Sequence, residues 1–129
     1  MRALQIASPR HVAMVDVPML TIEAAHQVLV KIRATTICNL HEWKLYTNRY
    51  RAHFTCNYPL PPGYPGHEAA GEIVEVGSAV RDLRVGDKVF MTSHAGHLHR
   101  EYAVCPSEWA FRLDPEVSWA DAAPMELMA

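Results

Sequence analysis

Apolar and polar residues alternate over several short stretches of the chain, most clearly between residues 27 and 37. Val28 and Val30 share one parity, while Lys31 and Arg33 occupy the other. A period of two is typical of a strand with one buried face, because successive side chains of a strand point to opposite sides. We therefore predict a strand over residues 27–37.

Further strands are predicted where similar short apolar stretches stand between turn residues. They cover residues 2–7, 11–17, 72–76, 87–91, 101–104 and 110–113, and a Ser-Pro-Arg turn joins the first two. Residues 40–46 and 118–129 are predicted to be helical, with Ser118 as the N-cap of the second segment. Short strands between Gly and Pro turns predict a mainly β fold, a small and partly open β-barrel with a few short helices.

The segment from Thr47 to Pro65 is aromatic and rich in proline, and it is predicted to be a long loop. Long loops in compact domains are often functional. A loop that merely wraps the barrel explains the same composition, so both interpretations stay open.

Composition narrows the class of protein. A chain of 129 residues fits one domain with a core of its own, and its formal charge of -2 excludes a dedicated nucleic-acid binder. No apolar run approaches the ~20 residues that span a bilayer, and the N-terminus lacks a signal-peptide pattern. We expect a cytoplasmic protein with no nucleic-acid and no membrane partner. Its three cysteines, Cys38, Cys56 and Cys105, are too few for a disulfide framework.

Three residues at the ends of predicted strands have the chemistry of metal ligands. Cys38 follows the strand over residues 27–37, while His67 and Glu68 precede the next long strand. A catalytic zinc takes three protein ligands of these types and keeps one position open. Strand ends can bring such groups together, but spacing alone is explained as well by a structural cysteine and an incidental His-Glu pair.

Motifs spread over most of the chain resemble those of one enzyme family. Residues 66–80 read GHEAAGEIVEVGSAV, which is similar to the signature of zinc-type alcohol dehydrogenases. VGDKV at 85–89, REYAV at 100–104 and LDPEVS at 113–118 resemble later motifs of that family. The chain thus resembles the zinc-containing medium-chain dehydrogenase/reductase family. The resemblance implies that residues 1–129 form its GroES-like catalytic domain and that residues 118–129 begin a linking helix.

The resemblance also implies a zinc site and a reaction. Cys38 and His67 take ligand positions, and Glu68 is a carboxylate that binds the metal or exchanges with water. Glu126, in the segment APMEL, resembles the third ligand of polyol-dehydrogenase-like members, although a solvated helix glutamate is the alternative. Zn²⁺ would activate an alcohol or carbonyl substrate for hydride exchange with NAD or NADP. The full-length protein is expected to be a homo-oligomer.

The sequence departs from the family directly after Cys38, where Asn-Leu-His replaces the usual Gly-Ser/Thr-Asp. Leu40 cannot carry the proton that the family's hydroxyl carries. We expect His41, Glu42, His94 or a zinc-bound water to take over proton transfer.

The residues that resemble the family's substrate pocket are Leu40, Trp43 and Ser93, with His94 beside them, which gives the pocket an apolar side. His97 and His99 are interpreted as solvated loop histidines. The four-cysteine lobe that holds a second zinc in many members is absent from the sequence.

No G-x-G-x-x-G phosphate loop follows a strand anywhere in the sequence. We therefore expect the NAD(P)-binding Rossmann domain to be absent from this chain, and the chain alone to be inactive as a dehydrogenase. Two alternatives stay open. One is a zinc-free quinone or enoyl reductase of the same superfamily, and the other is a non-catalytic barrel resembling a chaperonin cofactor.

Overall fold

A computed structural model describes residues 1–49, 56–92 and 96–128, the last three of these by their backbone alone. The strands are β1 (Arg2–Ser8), β2 (His11–Asp16), β3 (Gln27–Thr35), β4 (Ala69–Val76), β5 (Lys88–Met91), β6 (Tyr102–Pro106) and β7 (Ala110–Arg112). The α-helices are α1 (His41–Tyr46) and α2 (Trp119–Ala122), and the 3₁₀ segments are Ser107–Trp109 and Ala123–Met128. Within these ranges, no helix is long and apolar enough to cross a membrane.

Five strands form an antiparallel sheet in the order β6-β3-β4-β5-β7, and β1 pairs with β2 in a separate hairpin. The register between β3 and β4 shifts at Leu29/Val30 and again at Ile32/Ala34. Such irregularities bend a strand and increase its twist, which helps the sheet to curl. The structure confirms the predicted mainly β, half-open barrel with a few short helices.

The inner face of this sheet carries the main core. Its largest fully buried side chains include Val28 and Val30 of β3, Ile73 of β4 and Met91 of β5. Strand β3 ends two residues earlier than predicted because Thr35 pairs with Ala69, the first residue of β4. The chain beyond Thr35 is therefore free to turn, and it turns into the site described below.

The predicted helix over residues 118–129 is α-helical for four residues only. Its N-cap is as predicted, since Ser118 Oγ accepts a hydrogen bond from the backbone N–H of Asp121 at 3.1 Å. Pro124 has no N–H and its ring collides with the carbonyl four residues earlier. The backbone accordingly continues as a 3₁₀ segment from Ala123 to Met128.

The described end of the long loop, residues 56–65, packs against the first hairpin. The backbone N–H groups of Leu60 and Gly63 donate to the carbonyls of Ile6 at 3.0 Å and Leu4 at 2.7 Å. Leu60 is buried with Ile6 and Leu45. This part of the loop wraps the domain, whereas residues 50–55 lie outside the described part of the chain.

Gly66 allows a close approach that places the site. A side-chain carbon at this position would come within 2.7 Å of the backbone N of Leu98 and the carbonyl oxygen of Gly63. Without one, Leu98 N donates to Gly66 O at 2.8 Å and His99 N donates to Gly63 O at 3.2 Å. The segment carrying His99 is therefore held beside His67.

Candidate metal centre

Cys38 and His67, far apart in the chain, meet where β3 ends and β4 begins. One ligand atom each from Cys38, Glu42 and His67 forms a group in which all atoms lie within 4.8 Å of one another. The pairing of Thr35 with Ala69 brings the two strand ends together. A thiol, a carboxylate and an imidazole are the donor types that zinc prefers.

The start of α1 folds around Cys38 and carries Glu42 into this group. The backbone N–H of His41 lies 3.5 Å from Cys38 Sγ, and the N–H of Glu42 donates to the Cys38 carbonyl at 3.1 Å. Glu42 is only 5% exposed. Its Oε1 lies 3.2 Å from His99 Nε2, and its Oε2 lies 3.9 Å from His67 Nε2.

Two polar atoms of this group are buried without a hydrogen-bond partner. Among the described residues, the buried side-chain N and O atoms that lack one are Glu42 Oε2, His67 Nε2 and Thr92 Oγ1. The first two face each other beside Cys38. Leaving such atoms unpaired costs free energy, and native sites with them generally have a further occupant. A cation between the three side chains would satisfy both, so these residues fit a metal ion.

Electrostatics around Glu42 favour its charged form. Burial by itself raises the pKa of the Glu42 carboxyl. Burial is outweighed by the combined effect of the hydrogen bond with His99, the hydrogen bond with the backbone of Glu42 itself, and the neighbouring His67 and His99 rings. The pKa of the carboxyl therefore lies below its ordinary value. A charged carboxylate is the form that binds a cation.

Glu68 is not a member of this group. Its Oε2 accepts a hydrogen bond from the Thr36 hydroxyl, and its carbonyl accepts from Thr36 N at 3.2 Å and from Thr35 Oγ1 at 2.8 Å. The backbone bond extends the β3–β4 ladder by one residue, and the side-chain bond ties the Glu68 carboxylate to Thr36. The structure thus brings Cys38 and His67 together and does not bring Glu68 to them.

The prediction that His99 is a solvated loop histidine is wrong, because the residue is buried, at 7% exposure. Its Nε2 faces Glu42 and its Nδ1 lies 3.0 Å from Thr35 Oγ1. The physical reason is that the carbonyls of Gly63 and Gly66 accept hydrogen bonds from the backbone of residues 98–99 and hold it against the domain. His97 is half-buried, with Nδ1 3.3 Å from Pro62 O.

The other predicted site residues fall in three places. The His41 ring lies 5.8 Å from the His67 ring, centroid to centroid. Leu40 and Trp43 are exposed, at 62% and 54%. Ser93 and His94 lie outside the described residues, as does the side chain of Glu126.

A pocket of about 590 Å³ opens beside the centre. Its walls come from β1, β2, α1 and the segments that flank the centre. Most of them are aliphatic or aromatic: Leu4, Ile6, Val12, Ile37, Trp43, Tyr46, Tyr64 and Pro65. The remaining lining residues are Asn39, Glu42 and His99, so the carboxylate of Glu42 belongs to both the pocket and the ligand group.

Residues 24–115 match the family model described as the alcohol dehydrogenase GroES-like domain. The chain belongs to this family. The match confirms the GroES-like domain of medium-chain dehydrogenase type that the motifs of residues 66–118 resemble.

Similar proteins include both dehydrogenases and quinone oxidoreductase homologues. An L-threonine 3-dehydrogenase of Thermococcus kodakarensis is 34% identical over 119 residues, covering 84% of this chain and 31% of the relative. A chloroplastic quinone-oxidoreductase homolog of Spinacia oleracea is 37% identical over 105 residues, covering 80% of this chain and 31% of the relative. The chain therefore spans about a third of the length of these curated relatives.

Among solved structures, 2R,3R-butanediol dehydrogenase from Bacillus subtilis has the same fold. The TM-score is 0.74 at 22% identity, and the likeness covers 95% of this chain and 43% of that structure. The GroES-like domain thus accounts for the sheet that brings Cys38 to His67. The family signature GHE, at residues 66–68, contains His67 but gives no indication of Glu42 or His99.

One local signal pointed to Glu42. Glu42 is four residues after Cys38, and its N–H donates to the Cys38 carbonyl just before α1, the spacing of one helical turn. From the sequence, Glu42 was predicted as a candidate for proton transfer only.

Proposed function

We propose that this chain is the catalytic domain of a zinc-dependent oxidoreductase that exchanges hydride between an alcohol or carbonyl compound and NAD or NADP. The observation that carries the proposal is the meeting of Cys38 with His67, beside two buried polar atoms without partners. Family membership and the dehydrogenase relatives support it.

Each residue of the centre has a distinct task in this proposal. Cys38 and His67 would hold the metal, which when bound would supply Lewis-acid activation of an alcohol or a carbonyl group. His41, whose ring neighbours that of His67, receives or returns the hydroxyl proton. Leu40 leaves no hydroxyl at the family's relay position, so we assign the proton to the His41 imidazole.

The pocket beside the centre suggests the kind of substrate. Its aliphatic and aromatic walls would bind a hydrocarbon group and exclude water from the reacting carbon. They offer few partners for the several hydroxyl groups of a polyol. We therefore favour an alcohol or carbonyl compound with an apolar group over a polyol.

The dinucleotide belongs to a further part of the protein in this proposal. The 129 residues contain no G-x-G-x-x-G turn, and they correspond to about a third of the relatives' length. We assign NAD(P) binding to a Rossmann domain, with hydride transfer at the interface of the two domains. A homo-oligomer in the cytoplasm is the proposed setting.

Metal analysis of the purified chain tests the proposal. We expect one zinc per chain by plasma mass spectrometry, and loss of that zinc in both Cys38→Ser and His67→Ala. Cys56→Ser is the matched control and should retain it, because Cys56 lies outside the ligand group. Zinc retained in Cys38→Ser and His67→Ala alike would contradict the proposed centre.

A zinc-free quinone reductase is the second candidate, and the 37% identity to the Spinacia oleracea homolog favours it. This candidate predicts a chain that takes up no zinc and a full-length protein that reduces quinones with NADPH in the presence of a chelator. A non-catalytic barrel would leave the meeting of Cys38 and His67 without a role.

A further inference from the structure

We propose that Glu42, rather than Glu68, supplies the carboxylate ligand of the metal in this domain, with His99 and Thr35 as its positioning residues. This inference rests on the proposed zinc centre and adds a carboxylate ligand beside Cys38 and His67. Glu126, whose side chain lies outside the described residues, stays a separate prediction from the family resemblance.

The separations in the group suit a shared ion. Zinc bonds of about 2.0–2.3 Å in a tetrahedral arrangement place neighbouring ligand atoms roughly 3.3–3.6 Å apart. Glu42 Oε2 lies 3.9 Å from His67 Nε2, which is too far for a hydrogen bond and close to that spacing. A carboxylate oxygen of Glu42 and a ring nitrogen of His67 also lie within 4.8 Å of Cys38 Sγ. Small side-chain movements would bring all three to bonding distance.

The direction of the Glu42 carboxylate distinguishes a ligand from an orienting group. A carboxylate that only orients a metal-bound histidine bonds the ring nitrogen that faces away from the metal. Glu42 Oε2 instead faces Nε2 of His67, which is buried and has no hydrogen-bond partner. The two unpartnered atoms are 3.9 Å apart, so Glu42 stands on the side of the ring where His67 has a nitrogen left for a metal.

A buried pair of side chains fixes this direction. His99 Nε2 lies within hydrogen-bond distance of Glu42 Oε1, at 3.2 Å. The other ring nitrogen, Nδ1, lies 3.0 Å from Thr35 Oγ1 at the end of β3. Only Oε2 is left for a metal. Metal-bound carboxylates are generally held in this way by an outer hydrogen bond.

Glu68 is occupied elsewhere. Its carboxylate accepts from the Thr36 hydroxyl, and its backbone carbonyl is bonded to the end of β3. Binding the metal through Oε2 would require Glu68 to break the bond with Thr36. Glu42 needs no such rearrangement.

Zinc affinities of the purified chain, measured by competition with a chromogenic chelator, test the inference. Glu42→Gln should weaken zinc binding by more than about 100-fold, beyond the about 10–100-fold typical of a lost outer partner. Glu68→Gln should weaken it by less than about tenfold. His99→Gln should fall in the 10–100-fold range and add nothing to Glu42→Gln in the double variant. His97→Gln is the matched control, since His97 contacts Pro62 and not the centre.

Anomalous diffraction at the zinc edge from crystals of the zinc-loaded wild-type chain gives an independent reading that needs no variant. We expect the zinc peak at bonding distance from Glu42 Oε2, Cys38 Sγ and His67 Nε2. If the wild-type chain binds no zinc, the proposed function fails and this inference with it. If zinc binds but Glu42→Gln binds it equally well, or the peak lies beside Glu68, only the assignment of Glu42 is overturned.

Discussion

Cys105 should react with thiol reagents far more slowly than Cys56 in the folded chain. It is 1% exposed in β6, where it pairs with Val28 of β3. Burial raises the pKa of the Cys105 thiol from 9.0 to about 12. Only the thiolate attacks an alkylating reagent. At pH 8 the thiolate fraction is therefore about 1000-fold below that of an ordinary thiol, since each pH unit changes it tenfold.

Pulsed alkylation with iodoacetamide at pH 8, followed by peptide mass spectrometry, measures this difference. In the folded chain Cys56, which is partly exposed, should be labelled while Cys105 stays unmodified. In guanidinium chloride both should react at similar rates, which controls for the reagent and the peptides. Equal labelling of Cys105 and Cys56 in the folded chain would refute the packing of β6 against β3.

Three further predictions concern the core, the backbone contact at Gly66 and the pocket. Ile73→Ala should lower the free energy of unfolding by about 2–5 kcal/mol, because Ile73 is fully buried. The exposed Val85→Ala should change it by less than about 0.5 kcal/mol in the same urea titration. Gly66→Ala should cost about 1–3 kcal/mol through contact with backbone atoms. It should also weaken zinc binding, and unchanged zinc affinity would contradict the role of this glycine. In a full-length protein, Trp43→Ala should raise KM for a long-chain alcohol about fivefold, roughly 1 kcal/mol of lost apolar contact, with little change for a short one.

The strands were predictable because their period of two is local. The hairpin of β1 and β2 and the strand β3 lie within one or two residues of their predicted bounds. The expectation that Cys38 and His67 meet needed the family resemblance as well, since strand ends alone leave many pairings open. The helix over residues 118–129 was predicted to be too long, because Pro124 within it prevents a regular α-helix.

The inner arrangement of the centre depends on contacts that the sequence pattern does not contain. His99 is buried because the carbonyls of Gly63 and Gly66 accept hydrogen bonds from residues 98 and 99. These partners lie more than 30 residues apart in the chain. The alternation of His99 with His97 predicted neither burial nor the partner Glu42. His67 belongs to the ligand group, whereas the Glu68 carboxylate is bonded to Thr36. A signature in which the two residues are adjacent does not reveal this difference.

The absorption spectrum of the cobalt-substituted chain tests most directly whether Cys38 and His67 share a metal. Co²⁺ occupies zinc sites, and a thiolate bound to it gives a charge-transfer band in the near ultraviolet. We expect that band in the wild-type chain at one Co²⁺ per chain, and its loss in Cys38→Ser with Cys56→Ser unaffected. Cobalt uptake without a thiolate band, or a band that survives in Cys38→Ser, would contradict the account.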